Sequence, residues 1–309
     1  MINGGQFNSH IYNDDLSSHV SVPTTGAEAL ATGTGTDTYN WWTSGELSNL
    51  PEPNEPPTGY IGLWTIEDIQ KIGNDAGYPL NAKYAVMNDI DASATATWND
   101  GAGFAPIDIF TGTFDGQGFD ISGLVINRPT EVHAGLFGGI IDGTVQNIGL
   151  VDNMIIGGDI IGGIVGVFTG GIISLCYATG SIIGNTVVGG LVGANSSTTV
   201  IANCYATSTV EGNTNVGGLI GQNNGSVMTC YIAGPVTGAH YVGGIVGLEF
   251  GTVAMSCYDS TITGQSDTGK GEPRTTAQMQ NAATYTGWDF LGVWHAPTTG
   301  AYPTLRAFD

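Results

Sequence analysis

Lysine and arginine together number only 6 in 309 residues, against 27 aspartates and glutamates, for a formal net charge of −21. Residues 131–265 contain no basic side chain of either type and seven acids. A phosphate-binding surface needs a basic face, so nucleic acid and anionic membrane surfaces are excluded as partners. No apolar run reaches the roughly eighteen residues that a membrane-spanning helix needs, so membrane insertion is not expected. The opening Met1-Ile2-Asn3-Gly4-Gly5-Gln6-Phe7-Asn8 has neither a basic segment nor an apolar one, so no export signal is read there. Cysteine is sparse as well: 4 residues are too few for a disulfide-built scaffold. What the chain has instead is glycine, at 50 positions, within a composition that is 41% apolar and therefore sufficient for a folded core.

The glycines and cysteines are periodic. Cys176, Cys204, Cys230 and Cys257 lie 28, 26 and 27 residues apart, each followed by a tyrosine. Glycine pairs keep the same cadence at Gly162-Gly163, Gly189-Gly190, Gly217-Gly218 and Gly243-Gly244. A Gly-x-x-Gly core repeats as Gly163–Gly166, Gly190–Gly193, Gly218–Gly221 and Gly244–Gly247, with a diverged copy at Gly135–Gly138. A period of this length means a stacked array. Glycine with Val, Ile and Thr spoils helices and suits short strands, so helical repeats are excluded. About 27 residues fit one coil of a parallel β-helix, whereas a propeller blade needs about 40. The predicted fold is all-β: a right-handed parallel β-helix with a short capping helix and an extended N-terminal arm.

In such a coil, equivalent residues stack at strand spacing. The four cysteines and the residues two positions later (Ala178, Ala206, Ile232) are expected to point inward, with Asp259 breaking that ladder where the coil ends. The thiols are read as buried, free and structural. The tyrosines after them, Tyr177, Tyr205, Tyr231 and Tyr258, have the opposite parity and are expected to face outward. They are candidate glycan-stacking residues, with mutual stacking within the sheet as the alternative.

These repeats resemble the GLUG motif, a Gly-Leu-Val-Gly core followed by an Asn-Cys-Tyr-Ala-Thr-Gly turn. Here the turn reads Leu175-Cys176-Tyr177-Ala178-Thr179-Gly180 and Asn203-Cys204-Tyr205-Ala206-Thr207, drifting to Thr229-Cys230-Tyr231-Ile232 and Ser256-Cys257-Tyr258-Asp259. Tyr84–Asp91 and Phe110–Gly118 look like the family's opening rungs, and Thr275–Pro303 like its closing segment. The resemblance implies a scaffold found in surface adhesins, in modules of secreted proteases and in phage appendages; it implies no reaction.

Three parts follow. Residues 58–265 form the β-helix with its N-terminal cap (GLUG-like repeats at 135–265), and 266–309 form a C-terminal cap. Thr65–Ile72 suits the first cap, with Thr65 as N-cap and Asp68 three positions on. Trp288, Phe290, Trp294 and Tyr302 supply bulky lids at the other end. Residues 1–57 lack the period. They combine Thr32-Gly33-Thr34-Gly35-Thr36 with the stiff spacer Pro51–Pro57. They are read as an extended arm whose Ile2, Phe7, Ile11 and Tyr12 dock on a partner, the alternative being a plain tail.

No catalytic motif occurs, and no metal site or cofactor is predicted. Asp89, Asp91, Asp115 and Asp120 are the one acid cluster dense enough for glycoside hydrolysis. They are read first as turn and capping residues. Calcium at Asn88–Asp91 would lack the glycine and further carboxylate of a recognised loop. The five histidines are isolated in sequence.

The expected function is therefore non-enzymatic: a structural or adhesive appendage on a virion surface, such as a phage capsid or tail decoration, fibre or spike. Its expected partners are virion or other assembly proteins through the arm, and host surface glycans; a homo-oligomer is compatible. The alternatives are a bacterial cell-surface adhesin fragment, extracellular in location, and a polysaccharide depolymerase of tailspike type.

Overall fold

The computed structural model describes residues 55–309. Ile2, Phe7, Ile11 and Tyr12, proposed as docking residues, lie outside the described residues. The repeats wind into a parallel β-helix, and its register can be followed column by column. Ile61, Tyr84, Phe114, Val145, Ile173, Ile201, Val227 and Val253 stack as parallel-paired neighbours along one face. Around the corner, Ile90, Ile121, Leu150, Ala178, Ala206, Ile232 and Tyr258 form a second column. Ile126, Ile155, Ile182, Val210 and Val236 form a third. Inward residues of all three belong to one continuous apolar core, which is why each rung alternates a β-branched or aromatic residue with a polar one.

The Gly-Gly-x-x-Gly signature builds the tightest part of the coil. A separate parallel sheet runs through Ala134, Ile161, Val188, Val216 and Val242. It doubles back against a column of Phe137, Val165, Val192, Ile220 and Val246. The two backbones approach too closely for side chains. A Cβ on Gly189 would stand 2.1 Å from the Val192 carbonyl oxygen, and one on Gly221 would stand 2.6 Å from the Val188 nitrogen. Glycine is used here for space, not for flexibility.

The cysteines close the next corner. Leu175, Asn203, Thr229 and Met255 sit in the left-handed region, at φ 56°, 53°, 56° and 47°. The following side chain donates to the carbonyl two residues back: Cys176 Sγ to Ser174 O at 3.1 Å, Cys204 Sγ to Ala202 O at 3.2 Å, Cys230 Sγ to Met228 O at 3.2 Å. In the last rung that donor is Ser256, whose Oγ reaches Ala254 O at 2.8 Å. Asn tolerates the left-handed region, but a β-branched residue is strained there. Thr229→Asn is therefore expected to stabilise the protein by about 1 kcal/mol. Thermal melting checks it, as a rise in Tm of roughly 2–4 °C.

Both ends of the coil are covered. Helix α1 (Ile66–Lys71) closes the first rung with Ile66, Ile69 and Ile72 buried. Its capping box is the expected one: Thr65 Oγ1 accepts from Asp68 N, and Asp68 Oδ2 from Thr65 N. At the far end Asp259, read as the break in the inward ladder, is the N-cap of α2 (Ser260–Thr263), accepting from Thr261 N and Ile262 N. A strand at Glu272–Arg274 pairs on Cys257–Asp259, and α3 (Thr276–Met279) follows with its own Thr275–Gln278 capping box.

Candidate functional site

The tyrosine column is real but covered. The rings of Tyr177 and Tyr205 are parallel at 4.8 Å, and those of Tyr205 and Tyr231 at 4.9 Å, so the spacing of rings reports the spacing of rungs. The C-terminal segment runs back down the side of the coil across this column. Trp294 lies 6.2 Å from Tyr205 and 6.0 Å from Tyr231, Tyr302 stacks 5.9 Å from Tyr231, and Phe308 meets Tyr177 edge-on at 4.8 Å. The Tyr231 hydroxyl donates to Pro303 O at 2.8 Å. Tyr231 is consequently buried, and Tyr177 and Tyr205 are half-buried. The lids expected at the coil's end thus also cover its flank.

Tyr258 corrects the outward assignment outright. Rungs late in the coil are 26 residues long, as Ile201, Val227 and Val253 show, whereas Cys257 follows Cys230 by 27. The one-residue slip puts Ser256 in the cysteine position, Cys257 opposite Tyr231, and Tyr258 inside, opposite Ile232. Tyr258 is fully buried in the core and donates to Asp267 O at 2.6 Å. Cys257 joins the aromatic cluster of Tyr231, Trp288 and Trp294, where burial pushes its thiol up to about 12. The tyrosines therefore do not form an open glycan platform. They are the seat of the C-terminal cap.

Asp91 and Asp115 take the turn role read for the acids, whereas Asp89 and Asp120 make contacts between rungs. Asp115 accepts from Gln117 N, Gln146 Nε2 and Asn147 Nδ2, at 2.9, 2.9 and 3.0 Å. Asp91 accepts from Ser93 N, and Asp89 from Asp120 N at 3.0 Å. Asp120 takes the Tyr177 hydroxyl at 2.7 Å; burial raises its pKa, the tyrosine opposes this, and the Asp89 carboxylate adds to it. Among the described residues no three His, Cys, Asp or Glu side chains are grouped so as to hold a metal.

A different surface has the shape of a site. Beside the glycine-lined corner a trough runs along the coil axis. Its floor is the outward column Gly139, Val167, Ala194, Gln222 and Leu248. One wall is the column His133, Ile160, Val187, Asn215 and Tyr241 of the doubled-back sheet. The other wall begins with Ile141 and Thr169, which pair, and continues at Ser196, Asn224 and Phe250, the residues that follow the floor strands or their corners. Its deepest stretch is about 540 Å³, bounded also by Asp108, Ile109 and Glu131, and a shallower stretch of about 400 Å³ continues to Gln222 and Asn224. His133, isolated in sequence, is thus brought to one groove with two carboxylates. The signal for the trough was present in the parity of the residue after each Gly-x-x-Gly, which must face outward.

At the trough's rim Glu249 accepts from Asn223 Nδ2 at 2.9 and 3.0 Å and from Gly251 N. Burial raises its pKa, offset in part by these donors. The folded state then binds the proton more tightly than the unfolded chain, so stability falls as pH climbs through the carboxylate range. Glu249→Gln is expected to stabilise at pH 7 and much less at pH 4. The gain should stay below about 1 kcal/mol because half the group remains in water; melting at the two pH values checks it.

Comparison with known proteins agrees with this architecture. The profile of the GLUG motif matches residues 184–211. Halomucin of Haloquadratum walsbyi is 37% identical over 163 residues, 52% of this chain and 2% of that protein. A provisionally named Gly-rich membrane protein of Evansella cellulosilytica is 54% identical over 41 residues, 13% of this chain and 5% of that protein. The chain thus spans a small fraction of the length of either relative. Among solved structures, a provisionally named immunoglobulin A1 protease from Bacteroides ovatus superposes with a TM-score of 0.59 at 19% identity, covering 81% of this chain and 93% of that one. That likeness concerns the fold alone. Register, corner chemistry and motif converge: the chain is a GLUG-repeat parallel β-helix protein.

Proposed function

We propose that this chain is a non-enzymatic structural or adhesive module of a longer cell-surface protein. The observation that carries the reading is the 37% identity to halomucin across 52% of the chain. A rigid coil with both ends covered, an acidic exterior and a lengthwise trough suit display outside a cell. The virion appendage drew on the way the sequence opens, which carries no weight for a chain spanning 2% of a relative; neither relative is named as a virion protein. A depolymerase would draw on the four aspartates, but Asp89, Asp91 and Asp115 each accept backbone hydrogen bonds and Asp120 holds the Tyr177 hydroxyl.

Antibodies against the β-helix test the reading on cells that make the protein. Labelling of intact cells, lost on brief external protease treatment, is the expected result. Labelling only after lysis contradicts it, and labelling of released phage particles instead would restore the virion reading.

A further inference from the structure

We infer that the trough is a binding site for a neutral polysaccharide strand lying along the coil axis, with Tyr241 and Phe250 as its stacking platform. Tyr241 is 62% and Phe250 66% exposed, more than any other aromatic among the described residues. They belong to one rung: Tyr241 lies on strand His240–Gly243, and Phe250 follows strand Val246–Glu249, whose Leu248 is the end of the floor.

Tyr241 is also held at a cost. Its φ is 52°, in the left-handed region; one rung earlier that position is Asn215, at φ 51°, a residue suited to it. A bulky ring kept where asparagine would fit better is the kind of local strain that marks function. Aromatic faces paired with neutral hydrogen-bonding groups are what sugar rings require. The trough supplies both. Among the described residues the Gln222 amide and the Thr169 hydroxyl make no side-chain hydrogen bond, and Asn224 spends only its Nδ2, on Asn195 O.

Charge selects the class. Residues 131–265, which form nearly all of the trough, hold no Lys or Arg. Uronate and sulfate groups would meet Asp108 and Glu131 at the deep end, while at the other end the Lys270 ammonium is spent on Gly247 O at 2.6 Å and lies close enough to Glu249 to act on its charge. The rung spacing of 4.8–4.9 Å is close to the length of one sugar residue in an extended chain, so successive rungs can address successive sugars.

The inference deepens the surface-module reading and rests on it for its setting. Its test is affinity electrophoresis of the full chain in gels containing a β-glucan, a mannan or a galactan, with polygalacturonate as the anionic arm. Retardation by at least one neutral polymer and none by polygalacturonate is expected. Phe250→Ala and Tyr241→Asn should each weaken it about tenfold, and Tyr241→Asn, which suits the backbone, should melt no lower than the parent. Absence of retardation in all three neutral gels, equal retardation by polygalacturonate, or unchanged retardation of both variants would overturn the inference. Surface labelling without retardation removes the trough alone; retardation with labelling only after lysis removes the surface setting alone.

Discussion

Trp294→Ala is expected to cost about 3–5 kcal/mol, the range for deleting a large buried aromatic. The indole is fully buried, 4.5 Å from Trp288, and lies against both Tyr205 and Tyr231. Its Nε1 points to Asn203 Oδ1 at 3.4 Å, and its carbonyl accepts from Arg306 Nε at 3.1 Å. Alanine would empty the centre of the contact between cap and coil. Beyond the strand Glu272–Arg274, which pairs on the last rung, the segment meets the coil mainly through this one aromatic cluster, while the coil's core is a separate cluster. The loss should therefore appear as release of the C-terminal segment before the coil itself melts. Calorimetry should show one early transition, lowered by on the order of 10 °C, ahead of a nearly unmoved second one. A parent-like melt would mean that the segment does not hold the tyrosine column.

Gly190→Ala is expected to be worse, with loss of folding or destabilisation beyond about 4 kcal/mol. The added Cβ would meet the Gly218 carbonyl oxygen at 2.1 Å and the Ala206 Cβ at 3.0 Å. Neither can retreat, because Gly218 is backbone of the next rung and Ala206 is part of the core column. Gly59→Ala serves as the control. Its φ is 83° with nothing near the new atom, so only the left-handed penalty of about 1–2 kcal/mol applies. Soluble yield and denaturant melts separate the two; equal behaviour would deny the close approach that the repeat motif is built for.

The coil itself was legible because periodicity is a property of sequence. Cys176, Cys204 and Cys230 fall inside as their spacing requires, and Thr65 with Asp68 caps α1 as their types require. Two features escaped for physical reasons. The slip at Cys257 is a difference of one residue between the 26-residue rung and the 27-residue cysteine interval, and a one-residue slip exchanges inside for outside. The covering of Tyr205 and Tyr231 depends on a segment some sixty to ninety residues further on, Trp288 to Tyr302, whose return path no local pattern encodes. The trough lay between these cases. The alternation that turns Val167, Ala194 and Gln222 outward was readable, but the wall formed by the doubled-back sheet was not.

The central claim is that successive repeats are windings about one axis, and distance measurements between spin labels test it most directly. Thr113, Val200, Ser226 and Thr252 belong to one outward column, in that order, with Thr144 and Ile172 between the first two. Labels at Thr113 paired with Val200, Ser226 and Thr252 should report separations near 14, 19 and 24 Å, growing by about 4.8 Å per rung. Separations that fail to increase steadily along that series would contradict the account.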